Sequence, residues 1–529
     1  MKKRKLNFIF NVVSICLSIC AIAIGVYAIR SANLGISGSV GFVAHNCNVS
    51  ISGYIYGHST TAEGAPVAKP TQDNEKSYLS NGSVLATENE PLKIEGDSGS
   101  LTFGDVFFTD MTESENLVPI KIILTIKNDS KFTILLEDNS FDGENYRVIC
   151  GDPLHVLYEN TGADSNYSTQ ITYVLLPKIV DGKYQEITEK VNVSIQIKFS
   201  KLDTEISSTG FIFDDDTNPT AILGVPDNTT NADTIVIPST FTDKPSVTID
   251  TIKEDFDKTG RPFLFNIEKY KKVVLLDGIK HIGKRAFHIN GGVVAFPSTL
   301  LDIGNDAFTN NTGITALNIQ KGSHSSFYSI YKLKYISSAS NVSFTNIDSC
   351  VIVIIEDGCD SVGQIISNSL EFLELPESVT QLTSFYKGNY ASIKIPKNVT
   401  QVNGRSFVSD RLTSMIVDSE NKKYDSRNNC NAIIETATNI LVQGCKATII
   451  PNDIVEIGGA AFMEQTLNSM TIPKSVKKLG ANVFANCKGI TQLHYLGTKA
   501  EWDTIDKGIA WNNSSTIKSV ACSDGTITL

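Results

Sequence analysis

Near the C-terminus a block of sequence returns after 22 positions: Pro451, Gly458, Ala461 and Phe462 of PNDIVEIGGAAF recur as Pro473, Gly480, Val483 and Phe484 of PKSVKKLGANVF. A fixed period of this length constrains the fold more than any composition does. Each unit supplies one layer of apolar side chains too thin to bury itself, so neighbours must stack into a solenoid with a continuous core and a long exposed face. Function is then to be sought on a surface rather than in a pocket.

The repeat can be followed over residues 221–495. Its first half is an apolar triplet leading into a proline or polar turn, as in Ile314-x-x-Leu317-x-Ile319, Leu370-x-x-Leu373-x-Leu375-Pro376, Tyr390-x-x-Ile393-x-Ile395-Pro396, Leu412-x-x-Met415-x-Val417, Leu467-x-x-Met470-x-Ile472-Pro473 and Ile490-x-x-Leu493-x-Tyr495. This is leucine-rich-repeat spacing, in which the two closer positions alternate along a short strand and point inward. The second half carries a glycine expected to turn the chain and a phenylalanine expected to fill the far side of the layer. The recurring positions are Gly283, Phe287, Gly304, Phe308, Pro376, Pro396, Phe407, Pro451, Gly458, Phe462, Pro473, Gly480 and Phe484. The pattern weakens between Gln320 and Leu370, yet VVLLDGIKHIG (273–283) and VIIEDGCDSVG (353–363) still align at an offset of 80, close to four periods. An insertion, DSENKKYDSRNNCNAIIETATNILVQGCK (418–446), lengthens one repeat; a hairpin with Ile433, Ile434, Ile440 and Leu441 inward is expected, emerging on one face of a stack of about ten layers.

The half-motifs IPKNVTQVNGRSF, FPSTLLDIGNDAFTNNTGITALNI and IPKSVKKLGANVFANCKGITQLHY resemble the BspA-like family of leucine-rich-repeat surface proteins, over roughly half of the chain from Ile235 to Leu529. The closing piece, 496–529, resembles the ending of such proteins and reads as a C-terminal cap in which Trp502 and Trp511 cover the last layer. The resemblance implies adhesion to extracellular matrix or to other cells. The outward strand positions that would line such a ligand-binding face are Asn318, Phe372, Glu374, Lys394, Thr471 and His494.

Residues 1–30 read as an export signal. After Lys2, Lys3, Arg4 and Lys5, the stretch Leu6–Ile29 has no charge and is long enough as a helix to span a bilayer, with the basic end held in the cytoplasm and everything after Arg30 outside. Two readings are open: a retained single-pass transmembrane signal anchor, or a signal peptide cleaved after Ala28 at Val26-Tyr27-Ala28, which gives a secreted protein.

Residues 31–205 read as a β-sandwich of roughly seven to nine strands. Val118-x-Ile120-x-Ile122-x-Leu124-x-Ile126 and Val191-x-Val193-x-Ile195-x-Ile197-x-Phe199 alternate at period two, with turn clusters between such runs. The segment FFTDMTESENLVPIKIILTIKNDSKFTILLEDNS resembles camelysin and TasA-like exported sandwiches. Residues 206–220 read as a solvated linker. Asp214, Asp216 and Asn218 are spaced like the opening of a calcium loop, but Pro219 and Val225 stand where glycine and a bidentate glutamate belong. The fold class is thus mainly β: export helix, sandwich, linker, solenoid and cap.

Several function classes are excluded. The net charge is −11, and setting aside the five basic side chains of the first 30 residues leaves −16 on the rest, a poor match to nucleic acid. The seven histidines show no metal-ligand spacing, and there is no GxSxG or GxxxxGK[ST] motif, so neither enzyme, metal site nor cofactor is expected. Eight cysteines beyond the signal form no CxxC pair; buried free thiols are expected, with Cys47–Cys150 and Cys430–Cys445 as conceivable bridges. The sequence therefore points to a bacterial surface protein presenting its repeat face to a protein or glycan, with its oligomeric state open; the alternative is a matrix or fibre protein whose sandwich self-associates.

Overall fold

The structure, a computed structural model, describes residues 47–56, 92–95, 98–106, 119–161, 166–180, 183–185, 187, 191–226, 232–253, 267, 269–287, 292–304, 307–308, 314–319, 326–328, 335–338 and 343–529. The expected export helix lies outside them, and no described helix is long and apolar enough to cross a membrane. Two compact units divide at Glu205/Ile206.

Among the described residues the first unit has, beside a two-stranded ribbon of Ile179–Val180 against Lys183–Tyr184, two main antiparallel sheets. One runs in the order Leu92–Glu95, Asn48–Tyr56, Ile120–Asn128, Ser168–Pro177, Tyr146–Cys150; the other runs Ser98–Val106, Val191–Lys201, Ile134–Asp138, Leu154–Leu157. The alternating positions meet as expected: Ile122, Leu124 and Ile126 of one sheet share a buried cluster with Val193, Ile195, Ile197 and Phe199 of the other. Buried Asn128 fixes one end of the sandwich, its Nδ2 donating to the carbonyls of Phe132, Leu157 and Tyr158 at 2.9, 3.1 and 3.0 Å.

In the second unit successive repeats pair in parallel. The apolar-triplet strands form one ladder, for example Ala316–Ile319, Tyr335–Ser338, Ile352–Ile355 and Phe372–Glu374. Short strands of the second half-motif form another, as in Thr251–Ile252, His281–Ile282 and Asp302–Ile303. Between Lys272 and Ile352 the strands start at 272, 293, 316, 335 and 352, so the 80-residue offset is four steps, as the alignment of the weak repeats implied. Each step turns through four residues: the amide of Val379 donates to the carbonyl of Pro376, Val399 to Pro396, Ile454 to Pro451 and Val476 to Pro473. In two repeats Leu276 and Glu356 stand in the proline's place and Asp-Gly fills the middle of the turn, where Gly278 and Gly358 take φ of 100° and 95°. Across the core the rings stack, Phe287 on Phe308 at 5.7 Å and Phe462 on Phe484 at 5.4 Å.

Three expectations need correcting. Gly283, Gly304, Gly458 and Gly480 do not supply the left-handed residue of the turn, since none has positive φ, although the carbonyls of Gly283, Gly304 and Gly458 open it by accepting from the amides of Ala286, Ala307 and Ala461. They let layers approach: a Cβ on Gly304 would sit 2.4 Å from the Lys284 amide nitrogen, and one on Gly480 2.4 Å from that of Gly459. The left-handed residues come two places later, at Arg285, Ala460, Asn482 and Ala510, with φ of 55–58°.

Residues 206–220 are no solvated linker. Ile212–Phe213 pairs antiparallel with Ala221–Gly224, and Phe211 and Phe213 pack edge-on against buried Phe241 at 5.0 and 5.5 Å. A stack needs its first layer covered, and this hairpin covers it. Asp214 belongs to its turn: burial would raise its carboxyl, but the Thr220 hydroxyl, the Ala221 and Thr220 amides and Lys253 outweigh that and hold it well below the usual range.

The insertion does form a hairpin, Ala432–Glu435 against Ile440–Gly444, but it does not project from one face. Ile433 packs with the core before it, and Ala432, Ile434 and Leu441 with the core after it; Ile440 is only half-buried. The hairpin is a two-sided layer of the stack.

Candidate binding face of the solenoid

The outward row of the triplet ladder follows from strand alternation. Its register aligns Asn318, Ser337, Ile354 and Glu374 across four strands, with Phe372 in the flanking row opposite Ile352. Further on, Lys394 lies opposite Ile416, and Thr471, His494, Ala521 and Thr526 form a continuous row. The six expected residues therefore all occupy this ladder, in three groups separated by register breaks and the hairpin layer.

The row is not uniform. Val274 and Ala295, at the same outward position, are fully buried and Ile354 is 7% exposed, although none belongs to the packed core, whereas their inward neighbours Val273 and Val353 do. Phe372 and Glu374 are half-buried. From Lys394 onward the row opens: Lys394, Ile416, Thr471, His494 and Thr526 are exposed. Only the backbone of Asn318 is described. Exposed outward positions thus begin at the strand Ser392–Ile395 and recur as far as the cap, with Ile416 among the polar side chains.

Charge on this side is arranged between layers. Lys394 Nζ lies 2.8 Å from Asp418, and Lys397 Nζ 3.2 Å from Glu420. The hydrogen bond from Lys394 holds the Asp418 carboxyl below its ordinary range. Neither acid was singled out in the sequence, yet each lies about one repeat beyond its lysine. The same spacing brings the His281 ring against Asp302 and, with the acid one repeat earlier, Lys478 against Glu456. Opposite charges one period apart are the signal that would have found them.

Among the described residues no cluster of His, Cys, Asp and Glu is placed to hold a metal. The cap seals the far end: Trp502 is buried, 5.4 Å from Tyr495 and 6.0 Å from Trp511, which meets Phe484 at 6.3 Å. The helix Lys499–Asp503 that carries Trp502 is started by a capping box of Thr498 and Glu501. No described cysteine is bridged, Cys430 and Cys445 included.

Comparison with known proteins fits this geometry. The model of the BspA type leucine rich repeat region matches in six copies, over residues 238–353, 324–434 and 442–528, more than half of the chain. No curated protein sequence matches. Among solved structures, a leucine rich cell surface protein of Faecalibacterium prausnitzii is 17% identical, with 58% of this chain and 98% of that chain covered and a TM-score of 0.32. A leucine-rich repeat protein of Eubacterium ventriosum is 18% identical, covering 52% and 66% at a TM-score of 0.28. The pneumococcal vaccine antigen PcpA is 13% identical, covering 61% and 82% at 0.29. The chain belongs to the BspA-type leucine-rich-repeat family.

Proposed function

We propose that the chain is an exported bacterial surface protein that binds an extracellular protein or glycan through the outward strand face from Ser392 to the cap. The observation that carries this reading is the change along the outward row, from the buried Val274, Ala295 and Ile354 to the exposed Lys394, Thr471 and His494. A row of exposed, mostly polar side chains spread over successive strands suits recognition of an extended partner better than chemistry on a small substrate. Adhesion is the task that the family resemblance implies.

The test is a binding screen of the full chain against immobilised matrix proteins and glycans, followed by a variant carrying Lys394→Ala, Thr471→Ala and His494→Ala. Binding is expected to weaken about ten-fold or more in the triple variant with unchanged thermal unfolding. A ligand bound equally well by the variant would move the site off this face, and no binding above background would end the reading.

A further inference from the structure

The triplet side of the last four layers carries no acid. Residues 444–452, 465–473, 486–498 and 513–523, which hold the triplet positions there, contain Lys446, Lys488, His494 and Lys518 but neither aspartate nor glutamate. Residues 350–377, which carry two earlier triplet strands, hold Glu356, Asp357, Asp360, Glu371, Glu374 and Glu377 and no basic residue. The sign of the charge therefore reverses along the solenoid, in a chain whose net charge is −11.

The lysines fall into a row. Lys446, Asn468, Thr491 and Lys518 each follow the apolar residue that opens a triplet, respectively Cys445, Leu467, Ile490 and Ile517. Backbone bonds between layers fix their stacking: the amide of Lys446 donates to the Leu412 carbonyl at 3.2 Å and that of Lys518 to the Thr491 carbonyl at 2.8 Å. Lys488 stands beside this row, bridged in parallel to Thr466, its amide donating to the Gln465 carbonyl at 3.1 Å. At the usual strand separation the three steps from Lys446 to Lys518 cover about 15 Å. Lys488 and Lys518 are exposed and Lys446 is half-buried. Neighbouring cations are already paired, Lys474 with Glu501 at 4.0 Å and Lys478 with Glu456 at 3.1 Å. Among the described residues no carboxylate pairs with the amino group of Lys446, Lys488 or Lys518.

We propose that this row binds an anionic polysaccharide, a glycan chain bearing sulfate or carboxylate groups, laid across the last four layers. The inference rests on the reading that the outward face binds a ligand, and it names the class of that ligand. Unpaired cations in a line attract a polyanion and release its counterions, and the acids of residues 350–377 repel the same polymer, which confines it to the terminal layers. Charges strung over several layers suit a polymer, whereas a small anion needs donors that converge in a pocket. Between the lysines the exposed side chains of Asn468, Thr471 and Thr491 make no hydrogen bond among the described residues, so their amide and hydroxyl groups are available to sugar hydroxyls. Nucleic acid fits less well: these segments expose no Phe, Tyr or Trp on which a base could stack, and three lysines are few for a phosphate backbone. A protein partner would need an apolar centre. The exposed apolar side chains here, Ile449 and Leu496, lie outside the row of lysines.

The test is surface plasmon resonance of the full chain in mild detergent over immobilised heparin, with neutral dextran, poly-glutamate and duplex DNA as the other surfaces. Heparin should be bound in preference to all three, and raising NaCl from about 50 to about 300 mM should weaken binding about ten-fold or more. The variant carrying Lys446→Gln, Lys488→Gln and Lys518→Gln should lose about ten-fold or more in affinity with unchanged thermal unfolding. Lys422→Gln, which removes an exposed lysine outside these segments, should bind as the parent does. Heparin bound no better than dextran, poly-glutamate or DNA, or bound equally well by the triple variant, would overturn the proposal. A matrix protein still held through Lys394, Thr471 and His494 when heparin is not bound would overturn this inference and leave the binding face in place.

Discussion

At the scale of single residues, glycine and left-handed alanine hold opposite relations to the stack. Gly480 is needed because the backbone of the preceding layer passes where its Cβ would be, 2.4 Å from the Gly459 nitrogen. Gly480→Ala must separate two layers, and a loss of roughly 1–3 kcal/mol is expected in chemical denaturation. Ala460 sits at φ 56°, where a Cβ is itself a cost, so Ala460→Gly is expected to stabilise by about 1 kcal/mol. The thiols act as packing groups. Cys487 donates to the Phe462 carbonyl at 2.8 Å, and burial pushes Cys430 up to about 11 and Cys487 up to about 12. An unfolded thiol ionises near 8.5, so these raised values contribute stability that is complete below that pH and is lost as pH rises above it. The urea midpoint should fall between about pH 8 and pH 10, and the fall should be smaller in the Cys430→Ala, Cys487→Ala double variant. An equal fall in both proteins would assign the effect to other groups.

At the scale of elements, the hairpin at the start of the solenoid has the most direct consequence. If Ile212–Phe213 covers the first layer, then Phe241→Ala, which removes the ring that Phe211 and Phe213 contact, should cost about 3–5 kcal/mol. It should also speed amide exchange in Ala221–Gly224 before later strands; exchange left unchanged there would return residues 206–220 to the role of a linker. This hairpin was not legible in the sequence because FDDDTN reads as solvated, and its carboxylates are satisfied by a turn, Asp214 by Thr220 and Ala221, that no periodicity announces. The repeats were legible because proline, strand and phenylalanine recur together, and buried Leu373, Ile393, Met415 and Leu493 lie where their spacing put them. The outward residues were legible only as positions. Alternation places Val274 and Lys394 on the same side, but burial depends on what lies over each, and a strand pattern carries no information about that.

At the scale of the whole molecule, the hairpin layer decides how the solenoid responds to stress. Repeat stacks are stabilised by nearest-neighbour contacts, so cooperativity is passed from layer to layer and is weakest where the contact is poorest. The buried core is continuous from Ile222 to Val417 and reaches Ile433 and Cys445 on one side of the hairpin; a separate cluster from Cys430 to Val520 begins on the other. Beside the hairpin, three side-chain links join the two parts directly: Arg405 to Glu464 at 2.6 Å, Gln465 Nε2 to the Phe407 carbonyl at 2.9 Å, and Thr466 to Asp410 at 2.7 Å. Both Gln443 and Gln465 are buried, and the Oε1 of each has no partner there, which weakens this boundary further. Amide exchange under mild denaturant should therefore resolve the solenoid into two cooperative blocks meeting at residues 432–444. Ile434→Ala, facing the second cluster, should lower that block by about 2–4 kcal/mol and leave the first largely unchanged, while Ile433→Ala should do the reverse. If either variant lowered both blocks equally, the hairpin would be one more layer in a single cooperative stack.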